Sequence, residues 1–364
     1  MRWMKPLDTL LSDCLAGHRL TPEEAVLLFK VKGREVFQVA RAADEKREQI
    51  AGDIITYVRN QNINCTNICS NQCGFCGFGR REDDTGAFLL SPEELASQAR
   101  LAAERKVTEI CTVSGLHPGF TLDSYLEVYR TIKEASPGVH LHASNPMEVA
   151  YAAKMSMCST REVLTAFRDA GVETICGTAA EILSDPVRAI ICPDKISTSE
   201  WIRIIREAHG LGIRSTATIM YGHCESEEDR TKHLSIVREI QDDTHGFTEF
   251  VPLSFVHQKT RIFKDGFARP GATGREDILM LAVSRLFLDN FRNIQVSWVK
   301  YGMKMAQIGL ITGANDLGGT LYEESISREA GAVSGSYLDP EEMEYITADL
   351  GRILRERRTD YTLI

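Results

Sequence analysis

Ten cysteines occur in 364 residues, and four of them, Cys65, Cys69, Cys73 and Cys76, sit within one twelve-residue stretch. Clustered thiols in a chain outside an oxidising compartment bind metal or carry redox chemistry more often than they pair as disulfides. Three residues separate Cys69 from Cys73, and two separate Cys73 from Cys76. Three thiolates at such spacing suit three irons of a [4Fe–4S] cube, leaving the fourth iron open to another ligand. Gly74, Gly77 and Gly79 argue for a loop, since each costs about 1 kcal/mol in a helix. Free N–H groups of that loop can point at cluster sulfurs and tune them. Phe75, just before the last cysteine, is expected to pack beside the metal centre. Zinc is the competing reading, with Cys65 as a fourth thiolate closing a tetrahedral site. The spacings differ from the paired C-x2-C knuckles of common structural zinc sites. The other six, Cys14, Cys111, Cys158, Cys176, Cys192 and Cys224, are scattered and read as small buried hydrophobes.

A loop of this kind needs a scaffold to hold it. Thr21-Pro22-Glu23-Glu24, Ser91-Pro92-Glu93-Glu94 and Asp339-Pro340-Glu341-Glu342 are helix starts with proline at the first helical position. Short β-type runs alternate with helical patterns between them. The strand candidates are Ile54 to Ile63, Val107 to Val113, Val139 to Ala143, Val172 to Cys176, Ile213 to Tyr221, Phe247 to Phe255 and Ile294 to Val299, with a weaker one at Leu310-Ile311. Helical patterns follow at 92–105, 122–135, 160–170, 200–210, 227–241 and 274–289. Eight strand–helix units predict an α/β protein with a parallel (β/α)8-type barrel, a doubly wound sheet being the runner-up. The expected organisation is an N-terminal helical extension at 1–50, the barrel at 51–335 and a C-terminal helical tail at 336–364. In a barrel, the loops after the strands gather at the C-terminal mouth, where active sites lie.

Composition narrows the partners. The chain is 43% hydrophobic and 26% charged, so it is expected to fold. Net charge is 42 − 51 = −9 with no basic tail, which argues against nucleic acid or a membrane surface. The longest apolar run, Ile278 to Leu288, is cut by Ser284 and Arg285 and falls short of a membrane span. Met1 to Pro6 has no apolar signal core, so a cytoplasmic location is expected.

Cys69-x3-Cys73-x-Phe75-Cys76 resembles the signature of radical S-adenosylmethionine (SAM) enzymes. Longer blocks resemble one branch: Gly177-Thr-Ala-Ala-Glu-Ile-Leu183, Ile191-Cys-Pro-Asp-Lys-Ile196, Phe247 to His257, Ser297-Trp-Val-Lys300 and Gly313 to Arg328. That branch is the tyrosine-using half of 7,8-didemethyl-8-hydroxy-5-deazariboflavin synthase, the 5-amino-6-(D-ribitylamino)uracil–L-tyrosine 4-hydroxyphenyl transferases of coenzyme F420 biosynthesis. Menaquinone-pathway relatives share the cysteine motif and are the in-class alternative; a zinc-binding protein without redox chemistry is the alternative outside it. Three departures stand out: Cys65 replaces an aromatic, Ser114-Gly115 replaces two glycines, and Ser144-Asn145-Pro146 replaces Phe-Ser-Pro.

The resemblance implies a [4Fe–4S] cluster on Cys69, Cys73 and Cys76, with SAM on its open iron. It implies a deoxyadenosyl radical that takes hydrogen from the amine of tyrosine, Cα–Cβ cleavage, and transfer of the 4-hydroxybenzyl fragment to C5 of the ribitylaminouracil, with release of 2-iminoacetate. Ser114, Gly115, Ser144 and Glu181 are then expected to bind SAM. Gly222-x-x-Glu225, with Thr218 and Met220 ahead of it, resembles an adenine-contact motif. Asn315 and Asp316 suit uracil edges and hydroxyls, and Glu323 or Glu324 a polyol or amine. His140 and His142 alternate on one strand face and are expected to line a pocket. His117 and His257 are acid–base candidates at strand ends. Trp298 and Lys300, read as one strand face, are candidates to stack an aromatic and hold a carboxylate. Gly313-x4-Gly318-Gly319-Thr320 mimics a phosphate loop but lacks its lysine.

The expected partners are L-tyrosine, 5-amino-6-(D-ribitylamino)uracil and a low-potential electron donor such as ferredoxin or flavodoxin. One cysteine triplet in 364 residues also predicts a single barrel, which hands its adduct to a separate ring-closing radical SAM enzyme.

Overall fold

A computed structural model describes residues 6–364; Met1 to Lys5, part of the predicted N-terminal extension and of the start expected to carry no signal, lie outside the described residues. Three helices, Leu7–Leu15, Pro22–Lys30 and Glu35–Ala51, precede the first strand. Thr21 and Glu24 form the predicted capping box. The second packs against Glu227–Thr244 and Gly274–Phe287 on the outside of the barrel, the third against Gly274–Phe287, and the first against the third. Leu28, Phe29 and Val39 are fully buried there, each contributing about 1.5–3 kcal/mol. Arg275 fastens the junction by donating to the Phe29 and Val31 carbonyls.

Nine strands follow: β1 (Ile54–Val58), β2 (Asn60–Asn62), β3 (Glu109–Thr112), β4 (His140–Ala143), β5 (Thr174–Ile175), β6 (Arg214–Tyr221), β7 (Phe247–Ser254), β8 (Asp316–Gly319) and β9 (Ile353–Arg357). All named pairings are parallel, in sheets ordered β2-β3-β4-β5-β6-β7 and β8-β1-β9. β1 and β2 are the two halves of one barrel strand, the lower half beside β8 and the upper beside β3. Single bridges from Phe250 to Ile294 and from Gln295 to Asp316 join β7 to β8. The expected (β/α)8-type ring is therefore complete, with its seventh position reduced to two residues.

Two strand predictions fail there. The strand predicted at Ile294 to Val299 ends early, because Trp298–Tyr301 turns helical. Leu310-Ile311 is no strand: Met303–Leu310 is a helix burying Ala306, Gly309 and Leu310, and the eighth strand is β8. The spacing of those buried residues is that of a helix face.

The C-terminal stretch is also corrected. After the helix Pro340–Ala348, residues 353–357 form β9, in full register with β1. Arg357, 1% exposed, reaches from β9 into the lower barrel. Its Nε donates to Asp316 Oδ2 at 2.6 Å, and its Nη2 lies 3.4 Å from Glu249 Oε2. Tyr361 donates to Glu249 at 2.6 Å, and Thr359 to Glu109 at 2.8 Å. The tail thus plugs the end of the barrel opposite the mouth and gives three buried carboxylates their partners, as buried charges require.

Candidate active site at the barrel mouth

Residues 65–90 leave β2 and cross the mouth. The loop is held down by backbone contacts: Ser70 N donates to Leu116 O, Cys69 N to Arg80 O, and Gly74 N to Ile191 O. Close approach demands glycine at two places. A Cβ on Gly115 would stand 2.2 Å from the Ile68 carbonyl oxygen, and one on Gly77 would stand 2.5 Å from that of Glu329. Glycine at 115 thus lets the end of β3 support the cysteine loop from below.

Cys69, Cys73 and Cys76 line one cavity, together with Phe75, Ser114, Gly115, Glu148, Glu181, Lys195, Met220 and Lys300. A Cβ on Gly79 would lie 3.6 Å from Cys69 Cβ and 3.8 Å from Cys76 Sγ, so these side chains converge over Gly79. Gly79 N–H also points at Cys76 Sγ, 3.4 Å away. Burial pushes the Cys73 thiol up to about 12, and Cys76 is the exposed one of the three. Three soft ligands with one loop N–H turned toward a sulfur fit an iron–sulfur cluster. Cys65 lies apart: its buried Sγ contacts Ser114 Oγ at 3.0 Å, it does not line the cavity, and burial raises its thiol to about 12.

Glu181 follows β5 with φ at +47°, in the left-handed region. Its Oε1 meets Lys195 Nζ at 2.6 Å. Lys195 also stands 5.3 Å from the centre of the Phe75 ring. Burial opposes the Lys195 charge, but the Glu181 carboxylate outweighs it and raises the pKa. Lys300 is half-buried and lines the same cavity. Burial lowers its pKa against the pull of Glu324, Glu181 and Cys76. Glu324 is buried, and its Oε2 has no hydrogen-bond partner among the described residues.

Lys195 and Glu148 were not singled out from sequence. Lys195 lies inside the Ile191 to Ile196 block, so the signal was present without a role. Glu148, on the helix Pro146–Ser156, gave none. It accepts from Ser114 N at 3.2 Å and from Asn145 Nδ2 at 2.7 Å, and burial pushes its carboxyl up to about 8.

Several predicted residues lie elsewhere. Ser144 (φ +64°) is a buried link from β4 to the next helix and does not line the cavity. Gly222 and Glu225 build a turn: Glu225 accepts from Gly222 N and His223 N and pairs with Arg230 and Arg269. Of that motif, Met220 alone reaches the cavity. His117 caps its own turn, its Nδ1 accepting from Gly119 N, and His257 packs edge-on against Phe263. Trp298 is core, 1% exposed, donating to Gly319 O at 2.9 Å. Asn315 and Asp316 sit at the opposite end of the barrel. Asn315 is bound by Arg285 and Ile294 N, and Asp316 by Arg357 and Thr56. Glu323 is exposed outside the ring, paired with Arg105 at 3.1 Å.

His142 lies in the barrel lumen below the cavity. Its Nδ1 is 2.7 Å from Thr174 Oγ1, and His140 Nε2 is 2.8 Å from the same oxygen. Burial lowers the His142 pKa to about 4, so the ring is neutral near pH 7.

Comparison with known proteins bears on this arrangement. Residues 63–237 match the profile of the Radical SAM superfamily, and 244–362 that of the CofH/MqnC C-terminal region. A protein of Methanospirillum hungatei, named 5-amino-6-(D-ribitylamino)uracil–L-tyrosine 4-hydroxyphenyl transferase, is 66% identical over 98% of this chain and 97% of its own length. One of the same name from Methanothermobacter thermautotrophicus is 48% identical over 94% of each. Among solved structures, methylornithine synthase superposes with a TM-score of 0.74 at 16% identity, covering 95% of this chain and 97% of that one. The hydrogenase maturase HydG of Carboxydothermus hydrogenoformans gives 0.76 at 15%, covering 98% and 80%. At these identities the structures speak for the fold alone.

Proposed function

Since the chain belongs to the 5-amino-6-(D-ribitylamino)uracil–L-tyrosine 4-hydroxyphenyl transferases of the radical SAM superfamily, we propose that it joins the 4-hydroxybenzyl group of L-tyrosine to that uracil. This is the family that the long sequence blocks resemble, and it outranks the menaquinone-pathway and zinc-protein readings. The observation carrying the proposal is the single cavity that gathers Cys69, Cys73, Cys76, Glu181, Lys195 and Lys300 at the mouth.

Cys69, Cys73 and Cys76 would hold three irons of a [4Fe–4S] cluster. Such a cluster, together with SAM, would supply radical chemistry through a deoxyadenosyl radical. Ser114 and Gly115, which line the cavity, would offer backbone or hydroxyl groups to the amino group of SAM, and Glu181 would offer a carboxylate to its ammonium or ribose. Lys195 holds Glu181 in place through their ion pair, and the Phe75 ring lies beside the lysine ammonium. Lys300, which lines the cavity, would receive the carboxylate of tyrosine. Exposed Cys76 marks the side from which a low-potential donor, ferredoxin or flavodoxin, would deliver an electron. A ring-closing radical activity would then consume the adduct. No helix among the described residues is long and apolar enough to cross a membrane.

The test is anaerobic purification, iron and sulfide analysis, and incubation with tyrosine, the uracil, SAM and dithionite. Deoxyadenosine and the uracil adduct are expected together. A colourless protein holding zinc without iron would overturn the proposal; turnover of a futalosine-type substrate without tyrosine would move it within the superfamily.

A further inference from the structure

Among the described residues, one cluster of soft ligands lies outside the mouth. β3, β4 and β5 run side by side, with Cys111 opposite His142 and His142 opposite Thr174. These positions face the lumen. Two residues below Cys111, Glu109 meets the C-terminal plug; two above it, Val113 lines the cavity. Cys176 stands two residues beyond Thr174 on the same side. The Cys111 and Cys176 sulfurs are 4.0 Å apart, and these and a ring nitrogen of His142 all lie within 4.8 Å of one another.

We propose that Cys111, His142 and Cys176 form a second metal site, for a thiophilic divalent cation of the zinc class, in the lumen beneath the mouth. Two thiolates each about 2.3 Å from a tetrahedral metal stand about 3.8 Å apart, close to the separation found. A disulfide is the poorer use of the pair. The two cysteines are on strands separated by β4, hence roughly 9–10 Å apart at Cα given a strand spacing of about 4.8 Å. A disulfide needs about 4.4–6.8 Å. The sulfurs meet near a ring nitrogen of His142, although the backbones remain too far apart. Thr174 Oγ1 engages Nδ1 of that ring, which fixes its orientation and leaves Nε2 for a metal, as second-layer partners of metal-bound histidines do. Three protein ligands leave a fourth position, and half-buried Cys111 opens the site toward the lumen. Binding exchanges two thiol protons for the cation and needs no oxidant. The cysteine triplet of the mouth plays no part.

The site is tested in full-length Cys69→Ser/Cys73→Ser/Cys76→Ser protein, which lacks the mouth thiols, by anaerobic titration with Co²⁺. One bound equivalent with thiolate-to-cobalt charge-transfer absorption is expected. The absorption should vanish when Cys111→Ser or Cys176→Ser is added, and His142→Ala should weaken binding at least tenfold. Absence of charge transfer, or its survival in the Cys111→Ser/Cys176→Ser background, would overturn the proposal. If circular dichroism shows that the added serines unfold the chain, X-ray absorption of zinc on the parent triple variant decides. A shell of two sulfurs and one imidazole supports the site; any other protein ligand set refutes it.

Discussion

Lys195 Nζ stands 2.6 Å from Glu181 Oε1 although the two residues come from different loops, one before the helix Thr198–Gly210 and the other after β5. Both side chains are largely buried, so each gives the other its principal counter-charge. A half-removed buried pair leaves an uncompensated charge, which costs about 3–5 kcal/mol.

Glu181→Gln is therefore expected to weaken SAM binding at least tenfold while the iron content stays unchanged. Lys195→Met should lower both SAM affinity and thermal stability, because it strands Glu181. Equilibrium dialysis with the cluster-loaded protein separates the two effects. Unchanged affinity in Glu181→Gln would remove Glu181 from the SAM site.

Changing Cys69, Cys73 or Cys76 to Ala should abolish iron binding and deoxyadenosine formation. Cys65→Ala should retain both, because its buried thiol is engaged by Ser114 Oγ and does not itself line the cavity. Iron and sulfide analysis after anaerobic reconstitution is the check, and the reverse pattern would mean that a different triplet binds.

Burial raises the Glu148 carboxyl to about 8, far above the unperturbed value near 4.3. The folded state keeps this proton while the unfolded chain releases it. Glu148 therefore favours folding most below about pH 4.3, and this contribution falls as pH rises toward 8. The slope is at most about 1.4 kcal/mol per pH unit. Urea unfolding of wild type and Glu148→Gln across pH 5–9 should show a stability difference that shifts in favour of the variant until about pH 8 and then levels. A pH-independent difference would show that Glu148 ionises normally.

Arg357→Ala leaves Asp316 and Glu249 buried without their guanidinium, and should cost about 3–5 kcal/mol. Arg357→Lys should recover only part of this, since a single ammonium replaces a fork spanning two carboxylates. Chemical denaturation measures both. A loss below 1 kcal/mol would mean that the plug is dispensable.

The cysteine loop, the helix starts and most barrel strands were legible because each is a local signal. Cap residues, glycines and β-branched runs act within a few positions of themselves. Sequence placed Cys69, Cys73, Cys76, Phe75, Ser114, Gly115, Glu181 and Lys300 among the site candidates, and the fold gathers all of them round one cavity. The charged Ile353–Arg357 gives no strand signal, because the burial of Arg357 depends on carboxylates contributed by β7 and β8.

By itself the sequence determined the family, the parallel α/β architecture and the triplet from which the site is built. Only the tertiary structure decided which polar residues belong to that site. Asn315 and Asp316 lie on a glycine-rich stretch that reads like a mouth loop, yet strand register and ring closure carry them to the plugged end, where Arg285 and Arg357 hold them. Conversely, Glu148 and Lys195 sit in ordinary helical or loop sequence, and chain crossings bring them to the cysteines. Which end of a barrel a side chain occupies is set by long-range pairing, and local sequence does not carry that register.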